Sequence, residues 1–311
     1  MRTLRLAALA IPAILGASGL AQERQWGIDR SIEQVSEHVF RWGSDNQFGA
    51  YVLTPEGILV VDGHYCPSGT VHWLRDELAQ RYDVPVRYVV LSHDHQDHVC
   101  NSGIFGDTAV TLGHRRIRAH IIREQRNSAV PDVTFDDELT LHLGGVEIRL
   151  LYFGPSHSDN LIHIHVPEDR VLISIDMARS SLFPDLRDMD VHGTLENLDR
   201  LSRLNDVEIV LPGHGTELLG QDNFVRMREF LATLHDRVLD AMIVGRSLPE
   251  IRESIRMDEF RDLDGLESSL DANIVTMYDF LYRYREPNVR IEPAEAVSCI
   301  ESSADCRTAD L

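Results

Sequence analysis

Lysine is absent from this sequence: all 30 basic side chains among its 311 residues are arginines, set against 50 acidic ones. The resulting formal charge of -20 repels phosphate, which argues against nucleic-acid and anionic-membrane partners. Cysteine is scarce as well. Cys66, Cys100, Cys299 and Cys306 include no CxxC pair, so a cysteine-built zinc knuckle is not expected. Nor does any apolar run comfortably reach the roughly 20 residues that a membrane span requires. What remains is ordinary globular material, 43% hydrophobic and 26% charged. The length suits one large domain or a domain with an appendage.

The N-terminus, MRTLRLAALAIPAILGASGLAQ, sets Arg2 and Arg5 before a short apolar stretch and closes on small residues. This is the layout of a secretory signal cleaved after Ala21, and it predicts a periplasmic or secreted protein with no stable membrane association once cleaved. An uncleaved N-terminal anchor is the alternative. Loss of residues 1–21 removes two arginines and no acids, taking the charge from -20 to -22. In an oxidising compartment four cysteines permit two disulfides, and the spacing of Cys299 and Cys306 suits a short closed loop.

Along the chain, YVLTPEGILVVDGH (51–64) reads as a hairpin around a Pro-Glu-Gly turn, and residues 68–82 carry helical apolar spacing. VRYVVLS (86–92) is a strand buried on both faces, and it runs into His93. The pattern recurs. A strand over 146–154 precedes His157, a strand pair over 161–176 ends at Asp176, and a strand over 207–212 precedes His214. Helix-like segments at about 194–205 and 224–245 complete an α/β pattern of helix-covered sheets, with chemistry-bearing loops at one sheet edge.

Each polar group alone has an ordinary explanation. His157 or His214 by itself is a loop or core histidine, and Asp176 is a helix cap. Together with LSHDHQDHVC (91–100), which packs three histidines and two aspartates into six positions, they form a set. Imidazole with carboxylate is ligand chemistry for zinc and its neighbours, so the set His93, His95, Asp97, His98, His157, Asp176 and His214 predicts a metal site.

These residues, in this order, resemble the metallo-β-lactamase-fold hydrolase superfamily over roughly residues 35 to 220. The resemblance implies an αβ/βα four-layer sandwich over residues 22–220, followed by a mostly helical extension over 221–311 that packs on it. It implies two divalent metal ions, zinc first and iron or manganese next. His93, His95 and His157 would hold one, Asp97, His98 and His214 the other, and Asp176 would bridge them. Asp97 would also orient the attacking water. Asp62 either orients a ligand histidine from behind or simply forms a turn. The best-known β-lactamases of the superfamily carry cysteine or serine where this chain has Asp176. The bridging aspartate is instead similar to glyoxalase II-like thioesterases, lactonases and phosphodiesterases. His95 stands where diiron oxygen reductases of the superfamily carry an acid, which disfavours a redox role.

The implied activity is that of an exported dinuclear hydrolase in which metal-activated water attacks a small ester, lactone or thioester. β-Lactam hydrolysis, phosphodiester cleavage and non-catalytic metal-dependent binding are the alternatives. Substrate contacts are expected from Arg179, Ser180 and Ser181, and specificity from the loops 64–72 and 178–192. Cys100 is expected to pair with Cys66, with two free thiols as the rival state. His64 is a candidate pocket residue, His72 and His192 are expected at the surface, and His163 and His165 share one structural strand face.

Overall fold

The computed structural model describes residues 25–284. The signal segment and the expected Cys299–Cys306 pairing lie outside the described residues. Seven strands form the first sheet in chain order: β1 (Ser31–Gln34), β2 (Val39–Ser44), β3 (Gln47–Thr54), β4 (Gly57–Val61), β5 (Val86–Val90), β6 (Val110–His114) and β7 (Val133–Phe135). The first four are antiparallel. From β4 onward they run parallel, linked through α1 (Thr70–Arg81), the single turn α2 (Gln96–Val99) and α3 (Arg115–Glu124). The second sheet comprises β8 (Glu138–Leu143), β9 (Val146–Leu151), β10 (His163–Val166), β11 (Val171–Ile173) and β12 (Ile209–Leu211). Its antiparallel meander closes with β12 parallel to β11, after the crossover helix α4 (Val191–Leu201). Helices α5 (Asp222–Ile243), α6 (Leu248–Ser254) and α7 (Leu266–Tyr284) follow.

The period-2 alternation of buried strands sorts side chains into layers. On β4, Leu59 and Val61 face the second sheet and pack with Ile148, Leu150, Ile164 and Ile173. Ile58 and Val60 face the other way, onto Leu74 and Leu78 of α1 and Ile117 and Ile121 of α3. Leu172 and Val210 on the outer face of the second sheet pack with Leu198 of α4 and with Phe224 and Met227 of α5. The order is therefore helix, sheet, sheet, helix, as the αβ/βα expectation requires. Each fully buried aliphatic side chain contributes about 1.5–3 kcal/mol, so three such clusters make a rigid frame. Among the described residues no helix is long and apolar enough to cross a membrane.

Helix α4 starts and ends a few residues earlier than the expected span of about 194–205, and Gly193 lies in its first turn. Its missing side chain is what fits: a Cβ there would lie 1.9 Å from the Pro155 carbonyl oxygen, while Asp190 caps the helix by accepting from Gly193 N–H. The stretch 226–243 is a packed helix face, as its apolar spacing implies, with Phe230, Leu231 and Leu234 buried.

The C-terminal ends of β4, β5, β9, β11 and β12 all open at one edge of the sandwich, since β9, β11 and β12 share a direction. Asp62, His93, His157, Asp176 and His214 follow those five ends.

Candidate metal centre

The seven histidines and aspartates meet at that edge in two groups. His93, His95, His157 and Asp176 place one ligand atom each within 4.8 Å of one another, and so do Asp97, His98, Asp176 and His214. Asp176 is common to both. Its Oδ2 lies 3.5 Å from His93 Nε2, 3.3 Å from His157 Nε2 and 3.3 Å from His98 Nε2, and its Oδ1 lies 3.2 Å from His214 Nε2. Asp97 Oδ2 stands 3.4 Å from both His98 Nε2 and His214 Nε2. His157 Nε2 and His95 Nδ1 are 3.1 Å apart. Donors about 2.0–2.1 Å from a tetrahedral ion stand roughly 3.3 Å from one another, so these separations suit a shared cation.

Buried polar atoms point to the same conclusion. His93 Nε2 and Asp176 Oδ1 are buried and have no hydrogen-bond partner. Such atoms are costly in a folded interior unless something else satisfies them. Burial opposes ionisation of Asp176, yet His98 and His214 hold its carboxyl well below the ordinary value. Asp97 behaves likewise: burial is outweighed by His98 and His214, and its carboxyl is lowered. Burial and the adjacent His95 push His93 down to about 3. For His98 burial acts in the same direction, but Asp176 and Asp97 reverse it and raise the imidazole to about 10. The carboxylates thus demand positive charge at this point.

The backbone is shaped for the purpose. Asp176 has φ +61° and Asp62 φ +66°, a left-handed conformation that aspartate tolerates better than most residues and that clusters at functional sites. Gly213 lets the His214 loop approach: a Cβ on it would lie 3.0 Å from His98 Cε1 and 3.1 Å from Asp176 Oδ1. Gln47 joins the halves, with its side-chain amide donating to the Asp97 carbonyl and its backbone bridged to His214.

Asp62 lies behind the ligand histidines. Its carboxylate accepts from Ser92 N–H and Ser92 Oγ–H at 2.7 Å each, and Ser92 Oγ is 2.9 Å from His93 Nδ1. His98 Nδ1 is 3.8 Å from Asp62 Oδ2. Burial raises the Asp62 carboxyl to about 6 despite His98 and Ser92. Ser92 therefore fixes the His93 ring with Nε2 facing Asp176. It is absent from the sequence-predicted set, its one cue being a hydroxyl between strand and motif. Asn160 and Arg126 are further unpredicted partners. Asn160 Oδ1 accepts from Asp94 N–H, and its amide nitrogen donates to the Asp94 carboxylate (2.8 Å), which also accepts from Arg126 Nη2 (2.9 Å). Three residues past His157, Asn160 thus ties that loop to the one bearing His93 and His95.

Cys66 and Cys100 form a disulfide, which joins the loop after Asp62 to the turn carrying Asp97 and His98. Arg179 is nearly buried, with Nη1 3.9 Å from Asp176 Oδ1 and its Nε unpartnered. Ser180 Oγ lies beside Gly215, whereas Ser181 is bridged to Asp264 ahead of α7. His64 departs from the pocket role expected of it. Its ring is buried, with Nδ1 2.9 Å from Ser68 Oγ and Nε2 3.1 Å from the Gln47 carbonyl oxygen, so it braces the sheet end. His72 and His192 are exposed, and His163 and His165 are buried on their shared strand face. A cavity of about 160 Å³ opens at the ligand set, between His95 and His157 on one side and Pro184–Met189 on the other.

A family profile of the metallo-β-lactamase superfamily matches residues 50–214, which span every one of these ligand residues. The chain belongs to that superfamily of metal-dependent hydrolases. The type 2 metallo-β-lactamase of Bacteroides fragilis is 24% identical over 211 residues, covering 61% of this chain and 83% of its own length. The alpha subunit of 2,4-dinitroanisole O-demethylase from a Nocardioides species is 25% identical over 255 residues, covering 80% of this chain and 74% of its own. Among solved structures, the stereoselective inverting sec-alkylsulfatase Pisa1 from Pseudomonas superposes with a TM-score of 0.70 at 16% identity. That likeness takes in 85% of this chain and 52% of the sulfatase, and it shows a common fold. The superfamily implies divalent metal, typically zinc, and the two donor groups fit it.

Proposed function

We propose that this chain is an exported hydrolase that holds two divalent ions, zinc in preference to iron or manganese, and acts on a small ester, lactone or thioester. The observation that carries the reading is Asp176, which faces both donor groups from a single carboxylate. His93, His95 and His157 would hold one ion and Asp97, His98 and His214 the other. Ions held by these residues would supply Lewis acidity, lowering the pKa of water towards neutrality and polarising the acceptor oxygen of the substrate. Asp97 is partly exposed, so its carboxylate can accept a hydrogen bond from the attacking water and orient it. Asp62, through Ser92, holds His93 in one tautomer. The loop at Pro184–Met189 walls the cavity beside His95 and His157.

An all-nitrogen-and-oxygen donor set is harder than one containing thiolate. It favours oxygen or sulfur leaving groups, which depart with little protonation, over an amide nitrogen. The β-lactam reading has its own support in the Bacteroides relative and in Arg179, whose guanidinium beside Asp176 is suited to a substrate carboxylate. The Cys66–Cys100 bridge favours an oxidising compartment, consistent with export.

Parallel kcat/KM measurements on a lactone, an aryl ester, a thioester and a cephalosporin test the ranking. The best of the first three should exceed the cephalosporin by about tenfold, a barrier difference of roughly 1.4 kcal/mol. A cephalosporin ahead of all three would make β-lactam hydrolysis the better reading. No turnover of any of the four would remove the ester class.

A further inference from the structure

The segment that follows Asp176 walls the pocket at His95 and His157, and its backbone is held from outside the matched region. Asn223, in the first turn of α5, grips Arg179 at both ends of its amide. It accepts from Arg179 N–H (3.2 Å) and donates to the Arg179 carbonyl (2.7 Å). Leu182 N–H donates to the Asp264 carbonyl (2.9 Å). Asn273 of α7 donates to the Phe183 carbonyl (2.8 Å), and Leu186 N–H donates to Thr276 Oγ1 (3.0 Å).

These contacts are not incidental to packing. Asn273 is fully buried beside the apolar Ile274 and Met277, and its amide nitrogen donates both to the Phe183 carbonyl and, one helical turn back, to the Ser269 carbonyl. The Phe183 ring it fixes stacks on the His157 imidazole at 5.8 Å and lies under the Arg179 guanidinium at 5.1 Å. A shift of this segment would move the aromatic wall, the cation and the mouth of the pocket together.

We propose that the C-terminal helices are the specificity element of this site. Asn223, Asn273 and Thr276 act as positioning residues that hold residues 179–189 against the ligand loops and so set the size of substrate admitted. The cavity of about 160 Å³ they maintain selects a compact acyl group. What enters the pocket rests on the hydrolase reading; the clamp itself rests on the hydrogen bonds.

The test compares Thr276→Val, Thr276→Ser and the parent in the zinc-loaded full chain. Three quantities are read: zinc content, amide hydrogen exchange across 181–189, and kcat and KM for an aryl acetate. Valine keeps the shape of threonine and removes the acceptor of Leu186 N–H, whereas serine keeps the acceptor. Thr276→Val should exchange about tenfold faster across 181–189, the loss of one hydrogen bond, with zinc content unchanged. Its KM should rise about fivefold with kcat within about twofold, and Thr276→Ser should match the parent, since the hydroxyl carries the effect. Unchanged exchange and KM in Thr276→Val would overturn the proposal. So would equal damage from serine, which would assign the effect to packing, or loss of zinc, which would make the helices a support for the metal ligands. If zinc binds but the parent turns over no ester, the hydrolase reading fails separately, and exchange still decides the clamp.

Discussion

Asp97 and Asp176 have His98 and His214 as common neighbours but differ in access. Asp176 is almost wholly buried, while the Asp97 side chain is about a third exposed. The buried carboxylate is placed to hold charge and the exposed one to meet substrate and water. Asp97→Asn keeps the shape and removes the charge. It should lower kcat by at least about 100-fold, the scale of a positioned base, with a much smaller change in KM. Steady-state kinetics on the aryl ester measures both, and an unchanged kcat would show that Asp97 has no part in the chemistry. This residue and its six partners were legible in the sequence, because each stands directly after a strand or within one short motif. Ser92, Asn160 and Arg126 were not. A serine before a motif, an asparagine after one and an arginine on an unassigned stretch have no pattern of their own, and their roles arise only when two distant loops meet.

Among the elements, the turn α2 has the weakest means of holding itself. Its four residues make one helical turn, and two of them, Asp97 and His98, belong to the second donor group. The Cys66–Cys100 disulfide anchors the end of that turn, and Gly63 N–H donates to the His98 carbonyl alongside it. The bridge closes a sequence separation of 34. By chain entropy a closure of that size stabilises the fold by about 3–4 kcal/mol. Replacing both cysteines by serine should lower the urea-unfolding free energy by that order and loosen the second ion before the first. Unfolding curves with zinc titration measure both, and an unaltered midpoint would show that the bridge is mechanically idle. Strands with strong apolar runs, such as β4 and β5, were evident from composition. The sheet edges β1 and β7 were not, because they are brief, partly exposed, and owe their conformation to pairing with a neighbour.

For the whole molecule, two sheets pressed face to face leave one shared edge, and β4 and β5 of the first and β9, β11 and β12 of the second deliver their C-terminal ends there. The strand-then-ligand order in the sequence carries this architecture. It does not carry the contacts between α7 and the segment after Asp176, which join residues 90 apart. On the proposed reading, seven side chains at that edge form one site for two ions. Elemental analysis of the chain stripped of metal, reloaded with zinc and freed of excess, beside His95→Ala treated in the same way, reads the stoichiometry. Two zinc ions are expected per parent chain, and about one in His95→Ala with the fold retained by circular dichroism. No more than a trace of metal in the reloaded parent would rule out the two-ion site.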